Sequence, residues 1–187
     1  MVVDEATADG LRAADPRVVR IFAAGCAERL APVFCVIRAA EPDRGDDVAF
    51  VVETLESLWD PQVPAGFFAE RRARLLTFPE LEPDELGWTE VADIYSFYGC
   101  LVLMYATRCA ETGGDPEAAI SAAHAALTAM EQLDSNVENA THFADERNRQ
   151  AATLQELAKQ TPPAAIRDTD RLVAQGVMAD IVERINH

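Results

Sequence analysis

The sequence is almost without lysine. Lys159 is the one lysine among 16 basic residues, and the others are arginine. The first 158 residues therefore lack the usual phosphate-gripping and Schiff-base side chain. Positive charge as a whole is scarce. Against those 16 bases stand 32 acids, a formal net charge of -16. So acidic a chain repels phosphate backbones and anionic lipid surfaces, which excludes direct nucleic-acid binding and disfavours membrane attachment. Any partner selected by electrostatics is basic; the plainer reading of the same charge is solubility. Glycine-rich cradles are missing too, since Gly45 and Gly113-Gly114 are isolated turn glycines with no adjacent lysine. No nucleophile-elbow signature surrounds any serine or cysteine. No cofactor motif is found, so no cofactor is expected.

Long apolar runs are absent, as is a secretory apolar segment, and Met1 to Ala14 is polar and acidic. The expected location is the cytoplasm. Cysteine is sparse: Cys26 and Cys35, then Cys100 and Cys109, the members of each pair nine positions apart. Nine residues turn a helix by about 900°, which sets the members of a pair on opposite faces. Neither pair can hold a metal from one helix, and a reducing compartment disfavours disulfides. Free, buried thiols acting as small apolar residues are expected. Sustained period-two alternation is missing as well, so no sheet is predicted.

What the sequence does hold is helical periodicity punctuated by caps. Asp15-Pro16 opens a first helix, with Val18, Val19, Phe22, Cys26, Leu30, Val33, Phe34 and Ile37 at helical spacing. Pro32 inside it predicts a kink or split. Further helices are expected over Asp46 to Trp59 and Pro64 to Leu76. Phe78 to Trp88 reads as a loop or a single turn, and Thr89 caps a helix from about Glu90 to Glu111. The stretch Ile94 to Tyr105 is apolar almost all round and is the expected central helix. Asp115-Pro116 opens an alanine-built helix to Leu133. Val137 to Lys159 forms the next, and Thr161-Pro162-Pro163 starts the last. Gly25 with Cys26 and Gly99 with Cys100 match in spacing, and these glycines are placed to let their two helices pack closely.

Two clusters carry candidate chemistry. Glu138, His142, Asp145 and Glu146 lie at offsets of three and four, which on a continuous helix share one face. Carboxylates with imidazole are ligands for iron, manganese or zinc. Helical di-metal centres need matching ligands from further helices, and His124, set among alanines, lacks them. A solvated face with Arg147 and Arg149 as ion-pair partners is the alternative; His124 is expected in the core or at an interface. The second cluster is acidic: Glu80, Glu82, Asp84, Glu85, Glu90 and Asp93 occur with no intervening base, and Leu81, Leu86 and Trp88 sit among them. An exposed aromatic ringed by acids supplies an anchor and steering charge for a basic protein. The alternative is a solvated loop with Trp88 folded onto the core.

The stretch Ile21-Phe22-Ala23-Ala24-Gly25-Cys26-Ala27-Glu28-Arg29-Leu30-Ala31-Pro32 resembles the Phe…Cys-Glu-Arg…Pro segment of the bacterial YjaG-like family, a domain of unknown function. Val51 to Trp59 and Gly99-Cys100-Leu101-Val102-Leu103 are similar to its next helix and its central helix. Tyr98 stands where that family tends to place an acid. The resemblance implies an all-α fold and a bacterial cytoplasmic setting, and no site residue.

The expectation is one all-α domain over residues 1–187. It is an irregular bundle of about seven helices around a buried central one, with residues 1–14 loosely packed. Two function classes stand. One is an interaction module of immunity or antitoxin type that binds a basic protein through Glu82, Asp84, Glu85, Trp88 and Glu90. The other is a helical metal-binding protein or enzyme using Glu138, His142 and Asp145. A homodimer is left open.

Overall fold

A computed structural model of the chain describes residues 3–82, 90–135 and 137–186. These residues form α1 (Glu5–Ala13), α2 (Pro16–Arg38), α3 (Gly45–Leu58), α4 (Ala65–Leu75), α5 (Val91–Glu111), α6 (Pro116–Asp134), α7 (His142–Ala158) and α8 (Pro163–Ile185). Single 3-10 turns at Pro42–Arg44 and Pro79–Leu81 precede α3 and α5. Among the described residues there is no strand, so the fold is an all-α irregular bundle. No described helix is long and apolar enough to cross a membrane.

The caps act as their residue types predict. Asp15 and Asp115 accept the Arg17 and Glu117 amides at 2.8 and 3.1 Å, each followed by a proline at the first helical position. Gly113 and Gly114, at φ 75° and 111°, close α5. The Gly114 amide reaches Cys109 O at 2.8 Å and the Gly113 amide reaches Ala110 O at 3.2 Å, which satisfies two orphan carbonyls.

Four local expectations are corrected. Residues 5–13 are a helix rather than a loose tail. Asp4 caps it by accepting the Thr7 amide, and Ala8 and Leu11 are buried against α6 and α7. Pro32 does not split α2. Its missing N–H costs about 3 kcal/mol in a helix interior, and the dense burial on both sides of it opposes a break. α5 begins at Val91 rather than Glu90, which takes the capping position without a side-chain capping bond; the expected cap, Thr89, lies outside the described residues. Finally, α7 begins at His142 rather than Val137. Asp134, the last residue of α6, accepts the His142 and Phe143 amides at 3.0 and 2.9 Å. It therefore serves as a cap supplied from the preceding helix, and Asn139 at φ 61° turns the chain between them.

The centre is shared by two helices. α5 packs on α2, α3, α4, α6 and α8, with Tyr95, Cys100, Val102, Leu103, Ala106 and Cys109 buried. Phe97, Tyr98, Leu101, Met104 and Tyr105 stay half-buried on its far side. The middle of α2 is buried all round: from Phe22 to Ala31 every residue is buried. Gly99 brings α5 onto it, since a Cβ there would lie 3.3 Å from the Phe34 Cβ and 3.4 Å from Leu30 O. The matching Gly25 faces α8 instead. The alanines of α6 let that helix approach α5 and α2 closely.

Gly114 is the tightest backbone position. A Cβ there would meet Pro16 O at 2.5 Å, while Gly66 faces open space. Replacing Gly114 by Ala is expected to cost about 2–4 kcal/mol, from left-handed strain plus overpacking. Gly66→Ala should leave stability unchanged or slightly raised. Urea melts of the two variants check this, and equal shifts would refute it.

Candidate functional site

The acidic segment is divided by the fold. Glu80 is 1% exposed. It accepts Arg38 Nε at 2.9 Å and Arg44 Nη2 at 2.8 Å, and Asp93 accepts Arg38 Nη2 at 2.7 Å. Arg44 also lies over the Phe34 ring, 5.4 Å from its centroid. Glu80 and Asp93 are thus internal ties that hold the 3-10 turn and α5 to α2. Glu82 and Glu90 are exposed at the two ends of the segment. Asp84, Glu85 and Trp88 lie outside the described residues.

The proposed metal ligands are not brought together. Glu138 precedes α7 and is exposed in the turn, so it does not share a helical face with His142. Asp145 accepts the Thr141 hydroxyl at 2.7 Å. Both ring nitrogens of His142 are engaged, Nδ1 with Asp134 Oδ1 at 2.7 Å and Nε2 with Asp180 Oδ2 at 2.9 Å. Among the described residues no group of three His, Cys, Asp or Glu side chains is placed to hold a metal. His124 is exposed on α6 rather than buried in the core.

What His142 forms instead is a clamp between the end of α6, the start of α7 and α8. Desolvation opposes its charge, but the hydrogen bonds it donates to Asp180 and Asp134 outweigh it and raise the imidazole above its ordinary 6.5. Asp134 is likewise desolvated, yet bonds from Phe143 and His142 hold its carboxyl below the ordinary value. When protonated, His142 is an imidazolium held between two carboxylates.

The largest polar constellation is one that the sequence reading missed. Glu28 and Arg29 sit side by side in the buried middle of α2. Arg29 donates Nε and Nη2 to the two oxygens of Glu146, both at 2.7 Å, and Nη1 to Asp170 Oδ1 at 2.9 Å. Asp170 Oδ1 also accepts Arg149 Nε at 2.7 Å. Gln150 Nε2 donates to Glu146 Oε1 at 2.8 Å and to Ala123 O at 3.1 Å. Gly25 makes room for this set, because a Cβ there would lie 2.7 Å from Asp170 Oδ2. Glu28 accepts Trp59 Nε1 at 2.6 Å, Arg167 Nε at 3.1 Å and Arg171 Nε at 2.9 Å. Arg149, expected on a solvated face, belongs to this cluster and also grips Glu156. The signal available in the sequence was a Glu-Arg pair in an otherwise apolar helix, which calls for buried partners.

The inner part of the cluster, Glu28, Arg29, Glu146, Gln150 and Asp170, is buried, and it clamps α7 and α8 to α2. The cysteines do not offer a nucleophile. All four are free, and burial pushes Cys35 up to about 11 and Cys26 and Cys109 up to about 12, with Cys100 raised likewise. Each is a thiol at neutral pH. No family model, curated protein or solved structure matches the chain.

Two outcomes follow from this geometry. Arg29→Met leaves Glu146 and Asp170 buried without their main partner and should cost about 3–5 kcal/mol, while Glu146→Gln and Asp170→Asn added to it should restore part of that loss. A cost under about 1 kcal/mol in urea melts would contradict the clamp. The His142 clamp has a defined sign. Its folded pKa is raised, so its stabilisation is complete below 6.5 and is lost as pH rises through the folded value. The stability gap between wild type and His142→Gln should therefore shrink between pH 6 and pH 9; a constant gap would refute the clamp.

Proposed function

We propose that this chain is an acidic helical interaction module that binds a basic protein, in the manner of an immunity or antitoxin-type inhibitor. The observation that carries the reading is how the fold distributes charge. Ten arginines, Arg12, Arg29, Arg38, Arg44, Arg71, Arg72, Arg74, Arg149, Arg167 and Arg171, are committed to carboxylates within the chain. The buried acids Glu28, Glu80, Glu146 and Asp170 are each matched by arginine. The surplus behind the net charge of -16 is therefore carried by outward carboxylates, among them Glu82 and Glu90 at the ends of the acidic segment. Such a surface steers a basic partner and repels anionic ones.

The module's contact is assigned to Glu82, Asp84, Glu85, Trp88 and Glu90, with the carboxylates setting the encounter and the indole as anchor. Affinity capture at low and high salt, with the captured protein identified and its binding rate measured, tests this. The expected partner is basic. It elutes with salt, and its association slows about tenfold or more when Glu82, Asp84 and Glu85 are changed to Lys. Trp88→Ala should mainly speed dissociation. Capture that is indifferent to these changes would overturn the assignment.

A further inference from the structure

The start of α2, the end of α3 and the start of α8 enclose a cavity of about 340 Å³ lined by Arg17, Arg20, Leu58, Trp59, Gln62 and Pro163. We propose that this cavity binds a small organic anion, a carboxylate or phosphate monoester joined to a flat apolar group.

In a chain with twice as many acids as bases, most arginines find a carboxylate, but Arg17 and Arg20 have none among the described residues. The nearby acids are already occupied by backbone: Asp15 accepts the Arg17 amide at 2.8 Å and Asp60 accepts the Gln62 amide at 2.8 Å. No acidic side chain lines the cavity. Arg20 is oriented without neutralisation, its guanidinium 5.6 Å from the centroid of the buried Phe68 ring. Two guanidinium groups with free donors are suited to grip a carboxylate or phosphate.

Two further features point the same way. The first turn of α8 borders the cavity, and its dipole adds positive potential there. α8 has no side-chain cap on its first turn. The wall opposite is apolar and rigid. Trp59 is fixed by its Nε1 bond to Glu28 at 2.6 Å and by Arg167 over its ring at 5.6 Å, and Leu58 is buried beside it. A planar group on Trp59 with its anionic end at Arg17 and Arg20 satisfies both walls. The volume suits a small ligand, at the lower end of common ligand sites.

The test uses full-length protein carrying Trp88→Phe, so that Trp59 is the single indole reporter. Fluorescence and the indole N–H resonance are followed during titration with phenyl phosphate, benzoate, inorganic phosphate and phenol. Saturable binding of phenyl phosphate or benzoate is expected, tighter than phenol and tighter than inorganic phosphate. The better of the two ring-bearing anions identifies which head group the site takes. Arg17→Gln with Arg20→Gln should weaken binding at least tenfold while the melting temperature is kept; Arg17→Gln alone, at an exposed position, serves if the double variant is unstable. No saturation below about 20 mM overturns the site. So does phenol binding equally well, inorganic phosphate binding equally well, or affinity unchanged in the arginine variants.

Discussion

The fold depends on the Arg29 guanidinium being held in the interior by Glu146 and Asp170. Its importance follows from what α7 offers to the core. The buried positions of α7 are Glu146, Gln150, Thr153 and Leu157. Three of the four are polar, so apolar burial alone cannot dock this helix. α8 buries Ile166, Asp170, Ala174 and Ile181, again with a charge in the middle of the stripe. Both helices reach α2 through groups that need a cation opposite. A buried ion pair of this kind adds little net stability over an apolar replacement, because desolvation offsets most of the attraction. Its consequence is geometric: only one rotation and register of α7 and α8 puts both carboxylates on one guanidinium.

The same economy explains the charge of the molecule. Inside, each of the buried carboxylates Glu28, Glu80, Glu146 and Asp170 meets at least one guanidinium, because an unmatched buried charge costs several kcal/mol. The matching draws heavily on the scarce arginines, and the remaining acids face outward. A mainly anionic exterior follows from the composition once the interior has taken most of its cations. Arg17 and Arg20, at the start of α2, are among the bases left without an acid partner among the described residues, as are the exposed Arg108 and Arg147.

The sequence made the fold legible where caps and apolar spacing were strong. Asp15-Pro16, Asp115-Pro116 and Pro163 each begin a helix, and Gly113-Gly114 ends one. It was less informative where a distant residue decides the outcome. Asp134 delays the start of α7 by capping it from α6, which removes Glu138 from the helix and dissolves the expected metal face. The acidic segment read as one surface because Glu80 carries no sign that Arg38 and Arg44, far away in sequence, will draw it inward. Glu28 and Arg29 are adjacent in α2, yet the partners of Arg29 are over 100 residues away in sequence. No local spacing rule connects them, and an adjacent Glu-Arg pair reads as readily as a solvated face.

If Arg29 is what docks α7 and α8, weakening it must loosen those two helices before the rest. Native-state hydrogen exchange on Arg29→Lys measures this directly, since lysine keeps the charge but loses the bidentate fork. The α7 and α8 amides should lose protection at a lower opening free energy than those of α5, which keep nearly wild-type values relative to global unfolding. Protection that falls uniformly across all helices, or that stays unchanged in α7 and α8, would contradict the account.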